Sequence, residues 1–331
     1  MKISSLKSLL TSAYTAKQPV MIWGAPGVGK SSAARQVADE LGIEFIDLRL
    51  SLLESIDLRG LPVVGKGNKV EWAQPAFLPT KGKGILFLDE IVQASPSMQA
   101  AASQLILDRR IGEYTLPEGW VVFGAGNRKS DKSSANVMPR HIANRFVHVN
   151  VEVDVGEWVT WALGANVDVR VIAYMKWRPM NLHLFDTQQK GEAFASPRSW
   201  EFASKMLGAN LPDSLLLESM QGCVGEGCAT EFVGFLRVCD KLPSLDAILR
   251  SPKEAPLPDD LATTWAVASN LIYAATKDNL GKVVTYLSRL VDAGRPEMSV
   301  FAQKELGLKQ PALCNTRAFI EWSTINAPFI A

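Results

Sequence analysis

The chain has 331 residues, of which 47% are apolar and 21% charged, and a formal net charge of +1. That much apolar content at this length excludes a disordered chain and predicts a sizeable core shared among two or more domains. The balanced charge gives no global pull toward nucleic acid, so local basic patches would have to supply any such affinity. The four cysteines, Cys223, Cys228, Cys239 and Cys314, form no C-x-x-C pair and lie far from the three histidines. They read as reduced, mostly buried thiols rather than metal ligands. The opening Met1-Lys-Ile-Ser-Ser-Leu-Lys has no continuous apolar core of the signal-peptide kind, and no apolar run approaches a membrane span, so a cytoplasmic location is expected.

In chain order, residues 5–16 read as a helix leading into a buried strand, Pro19-Val-Met-Ile-Trp23. Next comes Gly24-Ala-Pro-Gly-Val-Gly-Lys30-Ser31, the G-x-x-x-x-G-K-S spacing of a phosphate-binding P-loop. A helix follows with Ala33, Ala34, Val37, Ala38 and Leu41 on one face and Gly42 as its stop. A second strand covers 43–48. Residues 57–80 mix turn residues with short apolar pieces and read as an inserted loop or hairpin. Gly84-Ile-Leu-Phe-Leu88 is a strand ending in Asp89-Glu90, and Ser95-Pro96 opens a helix to about Leu107. A second hairpin-like insert occupies 109–120. Strands at 121–125 and 146–151 complete an α/β unit over about 1–152. From 153 to 331 capped helices follow one another, with starts expected at Asp154, Asp168, Ser196, Asp213, Thr230, Asp260, Asp278 and Thr316. The proline-rich stretch 251–259 is the linker candidate within that helical region.

The P-loop requires its residue types. Consecutive backbone N–H groups at a helix N-terminus cradle phosphate oxygens, and glycines permit the close approach. Gly24, Ala25, Pro26, Gly27, Val28, Gly29, Lys30, Ser31 and Ser32 are therefore the candidate contacts for a nucleoside triphosphate. Lys30 would reach the β- and γ-phosphates, while Ser31 and Asp89 would hold Mg2+. Glu90 stands where a base could orient or deprotonate water. Asn127, at a strand's carboxyl end, can donate to the γ-phosphate while accepting from water. The string Asn127-Arg-Lys-Ser-Asp131 is one residue too long for the guanine-reading N-K-x-D pattern. Arg140, Arg145 and Arg198 offer permanent planar cations for phosphoryl transfer, although spacing alone gives none of them that role.

These motifs, together with Leu86-Phe-Leu-Asp-Glu-Ile91, Gly126-Asn127, Asn144-Arg-Phe146 and Ser196-Pro-Arg198, resemble the AAA+ ATPases in order and kind, and within them the MoxR and dynein-related group. The resemblance covers roughly 24–200 and fades after about 210. It implies a three-layer αβα P-loop sandwich with a parallel sheet, then a helical lid and a helical extension. It implies ATP hydrolysis with Mg2+, with Glu90 catalytic, Asn127 as first sensor, Arg145 as an arginine finger acting on a neighbouring subunit (Arg140 the substitute) and Arg198 as second sensor. It further implies a homo-oligomeric ring, usually a hexamer, remodelling or activating a protein client. A partner with a von Willebrand factor A domain is often found beside this group. A nucleic-acid motor or loader on the same core is the alternative. It rests on Lys66, Lys69, Lys81, Lys83, Arg109, Arg110, Arg128, Lys129 and Lys132, which cluster in segments able to face a pore.

Overall fold

The computed structural model describes residues 1–65, 69–128, 138–185, 192–209, 211–239 and 244–329. Met1–Asp154 form the body of one compact unit, and the described residues from Val155 onward, Phe185 apart, form a second.

The first unit is built on strands β1 (Val20–Trp23), β2 (Glu44–Arg49), β5 (Lys83–Asp89), β8 (Gly119–Gly126) and β9 (Val147–Asn150). They form a five-stranded sheet in the order β2-β5-β8-β1-β9, and every pairing is parallel. Its helices are α1 (Ile3–Thr15), α2 (Lys30–Leu41), α3 (Ser55–Arg59), α4 (Pro96–Leu107) and α5 (Arg140–Ala143). Side chains alternate across a strand, and here both faces are covered. Ile85 and Phe87 of β5 pack with Leu6, Leu10, Ala34 and Val37 of α1 and α2. Leu86 and Leu88 point the other way, into a core with Leu58, Met98, Leu105 and Ile142 of α3, α4 and α5. The result is the αβα sandwich expected of the sequence.

Two small hairpins are added to this frame. β3 (Leu61–Val64) pairs antiparallel with β4 (Val70–Ala73), and β6 (Arg110–Ile111) with β7 (Tyr114–Thr115). Both lie inside the stretches read as inserts. In the first hairpin all of β3 is exposed, including Leu61, Val63 and Val64. The second is fixed at its base by Arg109, which donates to the Trp120 and Pro117 carbonyls at 2.8 and 2.7 Å. Arg128 likewise donates to the Val151 carbonyl at 2.5 Å. Two members of the expected basic cluster are therefore internal struts. Lys69, Lys81, Lys83 and Arg110 are exposed, and Lys66, Lys129 and Lys132 lie outside the described residues, as does Asp131.

The second unit is helical among its described residues, apart from one isolated antiparallel bridge between Leu184 and Ala195. It contains α6 (Val155–Gly164), α7 (Val169–Trp177), α8 (Pro197–Leu207), α9 (Asp213–Val224), α10 (Glu226–Cys239), α11 (Leu245–Arg250), α12 (Leu261–Tyr273), α13 (Leu280–Asp292), α14 (Glu297–Lys309), α15 (Pro311–Cys314) and α16 (Arg317–Ile325). Tyr174 sits among Trp177, Trp200, Phe232 and Phe235. A separate core joins α11 through α16 and includes Leu271, Tyr286 and Trp322.

Several expected helix starts shift. Thr230 is not a cap but lies inside α10, where its hydroxyl donates back to the Glu226 carbonyl at 2.9 Å. Asn279, not Asp278, occupies the N-cap position of α13. α11, capped by Ser244, was not expected. The stretch 251–259 is not a free linker. Its carbonyls accept from Tyr286 Oη (Pro256, 2.7 Å), Arg289 (Pro252, 2.8 Å; Ala255, 2.7 Å) and Arg295 (Asp259, 3.1 Å). Ala255 and Leu257 also pack on the core of α11 through α16.

The central sheet is tight at Gly84, where a Cβ would stand 2.6 Å from both the Glu44 carbonyl oxygen and Trp120 Cζ3. Neither can yield, because Glu44 is in register with Gly84 on β2 and Trp120 is fully buried. Gly84→Ala should cost about 1–3 kcal/mol of stability through overpacking. The urea midpoint measures this, and a wild-type midpoint would contradict the packing described.

Candidate functional site

In a parallel sheet the carboxyl ends of all strands share one edge, and ligands bind in the crevice there. β1 delivers the P-loop to that edge, β5 delivers Asp89, and β8 delivers Asn127 one residue past its end. The register fixes their depth, with Trp23 level with Gly126 and Leu88 level with Gly124.

Gly27 (φ 78°) and Gly29 (φ 94°) both adopt the left-handed conformation that side chains disfavour. Gly29 is also the N-cap of α2, so the loop turns directly into the helix and its first N–H groups face the crevice. Lys30 is the first helical residue. Its ammonium donates to the Gly24 carbonyl at 2.7 Å, the Ala25 carbonyl at 3.0 Å and Asn127 Oδ1 at 3.1 Å. An ammonium has three protons, so those partners match its donor capacity. A phosphate oxygen that takes a hydrogen bond from Lys30 must therefore displace one of them.

The acidic side of the crevice is crowded. Asp89 Oδ1 accepts from the Glu90 backbone N–H at 2.9 Å. Glu90 has a left-handed backbone (φ 57°), uncommon for a residue with a side chain. Its carboxylate accepts a short hydrogen bond from Ser51 Oγ. Ser51 lies two residues past β2, the strand beside β5, and was not singled out from the sequence. Burial pushes the Asp89 carboxyl above its ordinary range, although the Glu90 N–H, Lys30 and Arg49 pull it down. Asp47 on β2 is pushed up by burial and by Asp89 itself, while Arg35 and Arg49 oppose the shift. A partly buried carboxylate whose charged form is disfavoured suits a divalent cation, and a hydroxyl can add a further oxygen donor for magnesium. Asp89 and Ser31 are donors of those kinds, and the glycine cradle with Lys30 fits a polyphosphate.

Arg145 donates to the Ser103 carbonyl of α4 in its own unit. Arg140 is exposed at the start of α5. Arg198 belongs to the second unit, exposed at the second position of α8, whose N-terminus is closed by the reciprocal capping of Ser196 and Ser199. No cluster of histidine, cysteine and carboxylate side chains able to hold a metal occurs among the described residues, and no helix there is long and apolar enough to cross a membrane.

Residues 20–150 match the AAA family, the ATPase family associated with various cellular activities. This part of the chain is similar to the ATPase domains of that family. Midasin of Giardia intestinalis is 28% identical over 164 residues, which is 46% of this chain and 3% of Midasin. The Holliday junction branch migration complex subunit RuvB of Ehrlichia chaffeensis is 29% identical over 119 residues, 34% of this chain and 32% of RuvB. The chain thus spans only a small part of Midasin and under a third of RuvB. Among solved structures, a RuvB mutant of Thermotoga maritima is similar with a TM-score of 0.40 at 18% identity, over 76% of this chain and 75% of that one. NtrX of Brucella abortus in complex with ADP gives 0.41 at 14% identity, over 98% and 67%.

The electrostatics of Asp89 make a stability prediction. Its folded-state pKa is raised, so its contribution favours folding at low pH and is lost as pH rises through that raised value. Asp89→Asn keeps an oxygen to accept from the Glu90 N–H and removes the buried charge. Without nucleotide, the variant should melt a few degrees above the wild type at neutral pH. The gap should close below the ordinary carboxylate range, near pH ~4. A lower melting temperature at neutral pH would contradict this reading.

Proposed function

We propose, from the premise that residues 20–150 match the AAA ATPase family, that this chain is a ring-forming, magnesium-dependent ATPase of the MoxR type that remodels or activates a partner protein. The observation that carries the reading is the hydrogen bond from Lys30 to Asn127 Oδ1. It sets the P-loop cation and the amide at the end of β8 within one bond of each other, where a terminal phosphate would stand between them.

In the proposed mechanism Lys30 and the loop N–H groups hold the triphosphate, and Ser31 and Asp89 hold magnesium, whose charge offsets that of the phosphates. As a phosphate oxygen accepts a hydrogen bond from Lys30 in its place, Asn127 Oδ1 is freed to accept from water while the amide N–H donates to the γ-phosphate. Glu90 accepts a proton from that water once its carboxylate leaves Ser51 Oγ. Ser51 therefore keeps Glu90 turned aside until nucleotide is seated. Arg145 must leave the Ser103 carbonyl to act on a neighbour's phosphate, so subunit contact and turnover are linked. Arg198 would reach the nucleotide from the helical region, with α6–α8 acting as a lid and the helices beyond as an extension. A hexamer and a partner with a von Willebrand factor A domain complete the proposal.

The exposed β3–β4 hairpin favours a protein client over a nucleic acid. Leu61, Val63, Val64 and Val70 offer apolar contacts, which suit protein surfaces better than a phosphate backbone. The engagement of Arg109 and Arg128 inside the fold weakens the nucleic-acid alternative. If that alternative held, DNA or RNA would stimulate turnover and added salt would remove the effect steeply.

Glu90→Gln should retain ATP affinity and lose turnover on the order of 10²-fold or more. Steady-state phosphate release with parallel nucleotide titration checks this, and wild-type turnover would overturn the assignment. Arg145→Ala should assemble normally while turnover falls on the order of 10³-fold. Full activity in that variant would transfer the role to Arg140.

A further inference from the structure

Trp23 is the last residue of β1 and immediately precedes the P-loop. Its indole Nε1–H donates to His148 Nδ1 at 2.8 Å, and the two rings stack with centroids 5.9 Å apart and planes 14° from parallel. The other imidazole nitrogen, Nε2, lies 2.7 Å from the Ala143 carbonyl oxygen. An indole N–H can only donate and a carbonyl can only accept. Nδ1 must therefore be the acceptor and Nε2 must carry the proton. In this geometry both ring nitrogens are used, each with one partner.

The ends of this chain of contacts matter. Ala143 closes α5, two residues before Arg145 and three after Arg140. On the opposite side, Trp23 lies against Gly126, where a Cβ would stand 3.5 Å from Trp23 Cζ3, one residue before Asn127. Trp23 is thus paired with Gly126 at the strand end that leads to Asn127, and is tied through one imidazole to the turn that carries both arginines. His148 is itself exposed on the edge strand β9, so burial does not explain its two bonds.

We infer that His148 is a positioning residue for hydrolysis at the neighbouring subunit: it ties the arginine turn at 140–145 to the strand that enters the P-loop, and so sets where that turn stands. This rests on the proposed trans-acting arginine. A displacement of about 1 Å in a catalytic group can cost 10²-fold in rate, so loss of this tie should be read in turnover.

The test uses full-length protein and two variants. His148→Phe retains an aromatic ring and loses both hydrogen bonds. His148→Gln retains one acceptor and one donor. His148→Phe should lower kcat about tenfold or more with KM and ATP affinity changed by less than about twofold. His148→Gln should recover most of the loss. Mixed with Glu90→Gln subunits, His148→Phe should give more activity than the two measured separately, because its intact Glu90 receives a well-placed arginine. The double variant Arg140→Ala/Arg145→Ala serves as the control in the same mixing experiment. If the control complements Glu90→Gln and His148→Phe does not, the inference fails alone. If the control itself does not complement, the trans-arginine reading fails and takes the inference with it. Wild-type kcat in His148→Phe, or a loss carried wholly by weaker ATP affinity, also overturns it.

Discussion

The ammonium of Lys30 holds the front of the α/β unit together. Its protons are matched by two loop carbonyls, of Gly24 and Ala25, and by the amide oxygen of Asn127. The loop is thereby closed on itself and tied across the edge of the sheet to β8. Nothing in this arrangement is strongly bonded beyond recovery, since each contact exchanges for a phosphate oxygen of greater charge. In the proposed mechanism the partner displaced is Asn127, so binding at the loop and release of Asn127 are one event. The same economy recurs beside it, where the Glu90 carboxylate rests on Ser51 Oγ and the Arg145 guanidinium rests on the Ser103 carbonyl. Lys30, Glu90 and Arg145 each have an internal partner that they must leave in the proposed chemistry.

The acids supply the opposing pressure. Asp47 and Asp89 are both held above their ordinary pKa by burial, and each lies in the field of other carboxylates. This acidic side of the crevice disfavours its own negative charge, which a bound cation would relieve. The sheet makes this crowding unavoidable. Arg49 is in register with Asp89, and Asp47 with Phe87, so β2 places its polar end directly beside the end of β5.

The P-loop, the Asp-Glu pair and Asn127 were legible in the sequence because each is a local pattern: a spacing, or a polar residue closing an apolar run. Ser51 and His148 were not, because their roles depend on which strands lie side by side. Ser51 matters only once β2 neighbours β5, and His148 only once β9 neighbours β1. Charge was likewise visible before its destination. Arg109 and Arg128 count toward a basic cluster until the Trp120, Pro117 and Val151 carbonyls claim them. The prolines of 251–259 suggested a linker because they break helices, yet the carbonyls of such a segment remain free to accept from Tyr286, Arg289 and Arg295. Helix starts were read well where a capping side chain decides them, as at Ser95, Asp168, Asp260 and Thr316. They were misplaced where a threonine bonds back within a helix.

The central claim is that the site on one subunit is completed by an arginine from the next. ATPase rate per subunit, followed at saturating magnesium and ATP while protein concentration is varied, tests it most directly. The account predicts a low rate in dilute solution that climbs and then saturates as rings form. A constant rate per subunit across that range, with the protein monomeric throughout by mass, would contradict it.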